Sequence, residues 1–275
     1  MSRPQVSALA KFTARMRWVR RRFARATDRV ARMADPLCRS WWAIATVSFV
    51  IATVPALAAI SAPSSLHQVL SAVGLAPFVW SCARRDDWAR GMTLLSATFV
   101  IHSLTLIAIT VYAPETGSSL VPGGDEYWLK QLDWITTGRD PEYELRAWGP
   151  AHVQLLCGTT LFSMTSLGAI TLHQGFHEVD LMNFYNGQLI RISRHPLVAL
   201  TFGWHLWSML RGCGYVVLTF EIVSLSLQMA IGRRLATKRV RCVRWLVGVG
   251  FLILDGLAKW FLLELVRQQL SANLL

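Results

Sequence analysis

Apolar positions along the chain gather into seven long runs, separated by polar or charged connectors. Residues 41–62 hold no charge and no histidine, and 66–82 follow after a gap too short for anything but a helical hairpin. The third run, 91–113, is stopped by Pro114, and the fourth, 150–172, opens on Pro150, a favoured first-turn residue. A shorter fifth run, 195–210, begins at His195–Pro196 and stops at Arg211; the sixth, 212–232, contains Glu221; the seventh, 245–266, contains Asp255, Lys259 and Glu264. A hydrocarbon core about 30 Å thick needs roughly 20 apolar residues per crossing. The pattern therefore predicts an all-α fold, a polytopic helical membrane protein with about seven transmembrane helices.

A different period governs residues 1–40. Leu9, Phe12, Met16, Val19, Phe23, Ala26, Val30 and Met33 recur at intervals of three and four, which puts them on one helical face. Arg15, Arg20, Arg21, Arg22 and Arg25 stand among the basic residues on the rest of that surface. Such a basic amphipathic helix lies on anionic lipid, or packs on a partner helix, or anchors topology and does nothing more. The chain is thus divided into a basic cytoplasmic arm (1–40), three transmembrane helices (41–113), an acidic outer loop (114–147) and four transmembrane helices (148–275).

Composition agrees with a membrane protein: 53% of residues are hydrophobic and only 16% charged, against about 25% charged in soluble domains. Lys and Arg number 28 against 16 Asp and Glu, a formal net charge of +12. Much of the basic charge sits in connectors between spans, which argues against nucleic acid as the partner. Of the 28 basic residues, 22 fall in alternate connectors beginning with the arm, so the amino terminus is expected inside. A bacterial inner membrane is the expected location, although an Arg-rich, acid-poor start also fits a mitochondrial presequence. The five cysteines have no CxxC spacing, and three lie near expected cytoplasmic ends, so no disulfide is expected.

Residues 114–147 carry seven acids and begin with a turn-rich stretch through Pro122-Gly123-Gly124. From Asp125 onward, Trp128, Leu132 and Ile135 share a helical face, with Tyr127 and Trp134 suited to the headgroup level. The segment reads as an interfacial helix, with Trp128 and Trp134 as lipid or partner contacts.

Charges inside apolar runs need an explanation, at roughly 2.5 to 3.5 kcal/mol each on insertion scales. Asp255 and Lys259 are one turn apart and can pair. Glu221 has no partner on its own run, and Lys259 is the expected counter-ion. A cluster of Glu221, Asp255 and Lys259 would serve as an assembly clamp or as part of a proton or ion path. Histidines raise metal or haem as an alternative. His173 and His177 are four apart with Glu178 and Asp180 following, and His102, His152 and His205 lie in runs three, four and five. A metal site from His173, His177 and Glu178 needs a further ligand from elsewhere; the other reading is an imidazole pair at the cytoplasmic interface. The chain has no GxSxG, HExxH, P-loop or GxGxxG.

Phe184 to Ile190 (FYNGQLI), the span from Leu218 to Leu235 with its internal Glu221, and the late Glu264 together resemble the stage II sporulation protein M family over roughly residues 150–270. Asn186, Gly187, Glu221 and Gly232 match; Leu218-Thr219-Phe220 replaces the family's His-Gly. The resemblance implies a non-enzymatic membrane subunit that anchors or recruits partners in a cell-envelope complex, with Asn186, Gly187 and Glu221 as structural positions; no cofactor is expected, with a metal ion or haem as the alternative. The expectation is therefore a membrane scaffold or permease-like subunit that contacts anionic lipids and other subunits. The alternatives are a membrane redox or metal protein using the histidines, and a proton-coupled transporter working through Glu221.

Overall fold

The structure is a computed structural model that describes residues 22, 25–61, 65–139, 145–231 and 237–274, without the side chains of 145–152, 155 and 156. Arg15, Arg20 and Arg21 of the arm, and the His152 side chain, lie outside the described residues. The architecture is all-helical, and the described residues include no strand. After a helical stretch at 25–34 and a 3-10 turn at Leu37–Arg39 come α1 (Trp41–Ala58), α2 (Leu66–Arg84), α3 (Trp88–Tyr112), α4 (Pro114–Leu120) and α5 (Gly124–Thr137). They are followed by α6 (Leu145–Ser166), α7 (Ala169–Ile192), α8 (Pro196–Gly203), α9 (Leu206–Ile231) and α10 (Lys238–Ala272).

Local chemistry sets these boundaries. The side chains of Ser40, Asp87 and Thr237 accept from backbone N–H groups in the first turns of α1, α3 and α10. Pro114 and Pro196 open α4 and α8, where their missing N–H is not needed. Between α6 and α7 the chain turns through Leu167 and Gly168, both left-handed, and Val223 packs where a Gly168 Cβ would sit.

Among the described residues, five helices are long and apolar enough to cross a membrane: α1, α2, α3, α9 and α10. Four of the seven runs read from the sequence, those at 41–62, 66–82, 91–113 and 245–266, lie within or almost within single helices. The others are redrawn. The fourth run straddles the break at 167–168, and the fifth is no helix of its own, because α8 ends at Gly203 and α9 begins at Leu206. The sixth run is the body of α9. Residues 173–192, between the fourth and fifth apolar runs, belong to α7.

Helix α7 is the centre of the bundle. Thr171, Leu172, Phe176, Asp180, Asn183, Phe184, Asn186, Gly187 and Leu189 are all buried on it, and α2, α3, α5, α6 and α8 pack around it. Protein rather than lipid surrounds it, so it needs no continuous apolar run. Gly187 lets it approach α3 closely; a Cβ there would stand 2.5 Å from Cβ of Thr110.

The bundle has two chemically distinct ends. At the basic end, Arg84 and Ser81 bind Asp35, Arg85 reaches the Cys38 carbonyl, Trp80 donates to the Leu167 carbonyl, and Arg244 binds Asp86. Toward the opposite end lies an apolar cluster of Ala56, Ala59, Leu106, Ile109, Leu120, Val121 and Phe184. A neighbouring cluster joins Trp134, Ile135, Tyr185, Leu189, Trp207 and Leu270. In the described part of the arm, Thr27, Ala31 and Ala34 pack inward, whereas Ala26, Val30 and Met33 of the apolar stripe, with Arg22 and Arg25, are exposed.

Candidate metal centre

The most polar point of the interior is built by three helices. His67 and Gln68 come from the first turn of α2, His102 from the middle of α3 and Asp180 from the middle of α7; the exposure of each is 1% or less. His102 Nε2 lies 2.6 Å from Asp180 Oδ1, and His67 Nε2 lies 2.9 Å from Oδ2. Gln68 Nε2 donates to the same Oδ2 at 2.7 Å. Both carboxylate oxygens are thus engaged, as a buried acid requires.

The surroundings fix the imidazoles. The outer nitrogen of His102, Nδ1, donates to the Ala52 carbonyl at 3.1 Å, and Nε2 is turned to the centre. Holding the far nitrogen on a backbone carbonyl is the usual way a protein orients a metal-binding histidine. The ring of Phe176 meets His102 edge-on at 4.9 Å, and the two imidazoles are nearly parallel with centroids 6.0 Å apart. Pro55 cannot donate to the Ile51 carbonyl one turn back in α1. The Ser71 hydroxyl takes that carbonyl at 3.1 Å, tying α1 to α2 one turn from His67.

Among the described residues, His67, His102 and Asp180 are the group whose ligand atoms converge, all within 4.8 Å of one another. Two imidazole nitrogens and one carboxylate suit Zn²⁺ and the other divalent transition metals, at ligand distances of about 2.0–2.2 Å. The Gln68 amide stands beside them. A porphyrin does not fit, because both imidazoles contact one carboxylate directly.

The metal ligands expected from the sequence lie outside this group. His173, His177 and Glu178 do not converge on a point, and Glu178 instead accepts from Gln174 at 2.7 Å. His173 and His177 are half-buried on α7, on the side of Asp180 nearer the basic end. His102 is in the centre. His205 lies elsewhere, stacked on Trp207 at 4.4 Å and 3.3 Å from the Tyr185 hydroxyl.

The expected cluster of Glu221, Asp255 and Lys259 separates into two stations. Glu221 is fully buried at the basic end, where Arg244 Nη1 lies 3.3 Å and Arg241 Nε 3.5 Å from its oxygens. Arg244 also binds Asp86 at 2.8 Å and lies over the Trp88 ring. Asp255 is paired with Arg211 at 2.8 Å. Arg211 and Glu221 are ten residues apart on α9, about 15 Å at 1.5 Å per residue. Lys259 lines a recess on the far side of Arg211 with Tyr127, Trp134 and His205, and does not serve as the counter-ion of Glu221. The reason is register: α9 and α10 run antiparallel, so Glu221 faces residues 241–244.

Trp134, expected at the headgroup level, is buried against His205 and Trp207, while Trp128 is half-buried beside Tyr185. Asn186 is buried, donates to the Met182 carbonyl at 2.8 Å and has Gly203 packed against it. Comparison of the chain with family models, with curated proteins and with solved structures returns no match.

His67, Gln68 and Asp180 were not separable by sequence reasoning. His67 opens an apolar run, and its partners lie 35 and 113 positions away. One signal was present: a histidine in each of two successive apolar runs, and an acid on a segment whose buried face also carries Leu172, Phe176 and Asn183.

Proposed function

We propose that the protein is an integral membrane protein that binds one divalent transition-metal ion, of the Zn²⁺ class, between α2, α3 and α7. The observation that carries this reading is the convergence of two imidazoles and one carboxylate, from three helices, at full burial. Ionisable groups inside a bundle are costly and mark function by default. The ion would take Nε2 of His67, Nε2 of His102 and an oxygen of Asp180, with Ala52 holding the His102 ring from behind.

Seven helices of 18 residues or more, α1–α3, α6, α7, α9 and α10, support a seven-span arrangement in which α7 replaces the fifth apolar run. Exchanging one crossing for another keeps the parity. Twenty of the 28 basic residues then fall on the side of the amino-terminal arm, which supports an inside amino terminus and an inner-membrane location. On this reading the exposed stripe of the arm meets anionic lipid, the acidic residues of α5 meet other subunits, and the arginine-paired Glu221 is a clamp rather than a proton carrier.

The test is metal analysis of the full chain purified in detergent after exposure to Zn²⁺. One ion per chain is expected, lost in His67→Ala and in Asp180→Asn and retained in Glu221→Gln. A wild-type protein that stays metal-free would overturn the assignment.

A further inference from the structure

Resting on that reading of the centre, we propose that His173 and His177 form a loading station through which a divalent metal ion reaches His67, His102 and Asp180 from the basic end.

The spacing comes first. His173, His177 and Asp180 stand at i, i+4 and i+7, so at about 100° per residue they share one side of α7 and rise toward the centre in steps of about 6 and 4.5 Å. They follow the edge of the buried face, and both histidines are half-buried where Asp180 is fully buried. His173 lies within electrostatic reach of His177, Asp180 and His67. It stands one turn from the start of α7, beside the Leu167–Gly168 turn that Trp80 ties to the basic end.

The second observation is the asymmetry of the two approaches. Toward the opposite end lies an apolar cluster that includes Leu120, Val121, Phe184, Leu106 and Ala56. From the basic end, the edge of α7 offers an imidazole at each turn. Phe99 and Phe176 pack together beside this stretch of α7, with ring centroids 5.0 Å apart. A hydrated cation loses water in stages only if ligands replace it, and neutral imidazoles four residues apart are suited to transient capture of a divalent ion. The three-ligand centre deeper in would then take the ion by exchange, since its carboxylate adds a charge the station lacks.

The probe is Co²⁺, whose visible d–d absorption reports both occupancy and coordination. Full-length wild type and the His173→Asn/His177→Asn double variant, both in detergent and matched in helical circular dichroism, are mixed rapidly with Co²⁺. The expected result is the same final spectrum and one ion per chain in both, with loading slower in the variant by about tenfold or more. Equal loading rates would overturn the station and leave the centre standing. A folded variant that binds no Co²⁺ would also overturn it, by making the pair permanent ligands. Wild type that takes up no Co²⁺ would remove the centre itself, and the station with it. Should the double variant misfold, the single His173→Asn and His177→Asn variants carry the same comparison.

Discussion

The interior holds buried acids of two kinds. Asp180 is hydrogen-bonded by imidazoles and an amide drawn from α2 and α3, at zero exposure and with every partner from another helix. Glu221 and Asp255 are neutralised by arginines on α9 and α10. A guanidinium keeps its charge at any pH a protein experiences and cannot ligate a metal, so the arginine-paired acids are fixed clamps between two helices. An imidazole can release its proton and offer the same nitrogen to a cation. On the proposed function, the contrast separates positions that hold the bundle together from a position that could exchange what it holds.

The sharpest way to break this contrast is at Asp180. Asp180→Ala leaves two imidazoles and the Gln68 amide facing an empty carboxylate position, and the expected loss is about 3–5 kcal/mol, read as a fall in the thermal midpoint in detergent. That loss should come with loss of bound metal; a variant that loses stability yet keeps one ion per chain would dissolve the distinction. Glu221→Ala comes next. Removing one partner of a buried pair should cost about 3 kcal/mol, moderated because Arg244 keeps Asp86, and the metal content should not change.

Gly187→Ala probes how the centre is spaced. Its new Cβ would meet Thr110 at 2.5 Å, pushing α3 from α7, at an expected cost of about 1–3 kcal/mol with weakened metal retention. Gly250→Ala, at a position surrounded by open space, should change the unfolding free energy by no more than about 0.5 kcal/mol. The smallest effect is at Asp87, outside the apolar spans. Burial pushes its carboxyl up, but bonds from the Arg90 side chain and backbone N–H outweigh this and hold it below the ordinary carboxylate range. A lowered value means the contribution is present above the unfolded value, about 4, and is lost as pH falls below it. Asp87→Ala should cost about 0.5–2 kcal/mol at neutral pH. Its thermal midpoint should converge with that of the wild type in acid.

Much of the fold was legible because lipid-facing helices must be apolar throughout. Residues 41–62, 66–82, 91–113 and 245–266 announce themselves by composition, and α10, whose span is only 11% buried, does so most plainly. Helix α7 was illegible for the complementary reason: wrapped by other helices, it is free to carry His173, Glu178, Asp180 and Asn183, and a hydropathy argument reads it as a loop. The site was half legible. Histidines in apolar runs were visible, and His102 was among them. The pairing was not, because antiparallel register and the contacts of α7 decide which acid meets which base. The same blindness to register gave Lys259 to Glu221, although Arg241 and Arg244 face it.

The last helix has a mechanical consequence. At 35 residues α10 is about 52 Å long, well beyond the thickness of a hydrocarbon core, and it lies mainly along one neighbour, α9. Its far end is fastened by a clip: Asn273 bonds the backbone of His195 in both directions, at 2.9 and 3.1 Å, and its carbonyl takes the Arg194 N–H. Its near end is riveted by Arg244 to Glu221 and Asp86. Under tension applied at the carboxyl terminus, the clip should give way first and α10 should then peel from α9 as a zipper, halting at the Arg211–Asp255 pair and again at the rivet. The His67–His102–Asp180 junction, which joins three helices across the pulling direction, should be among the last contacts to rupture.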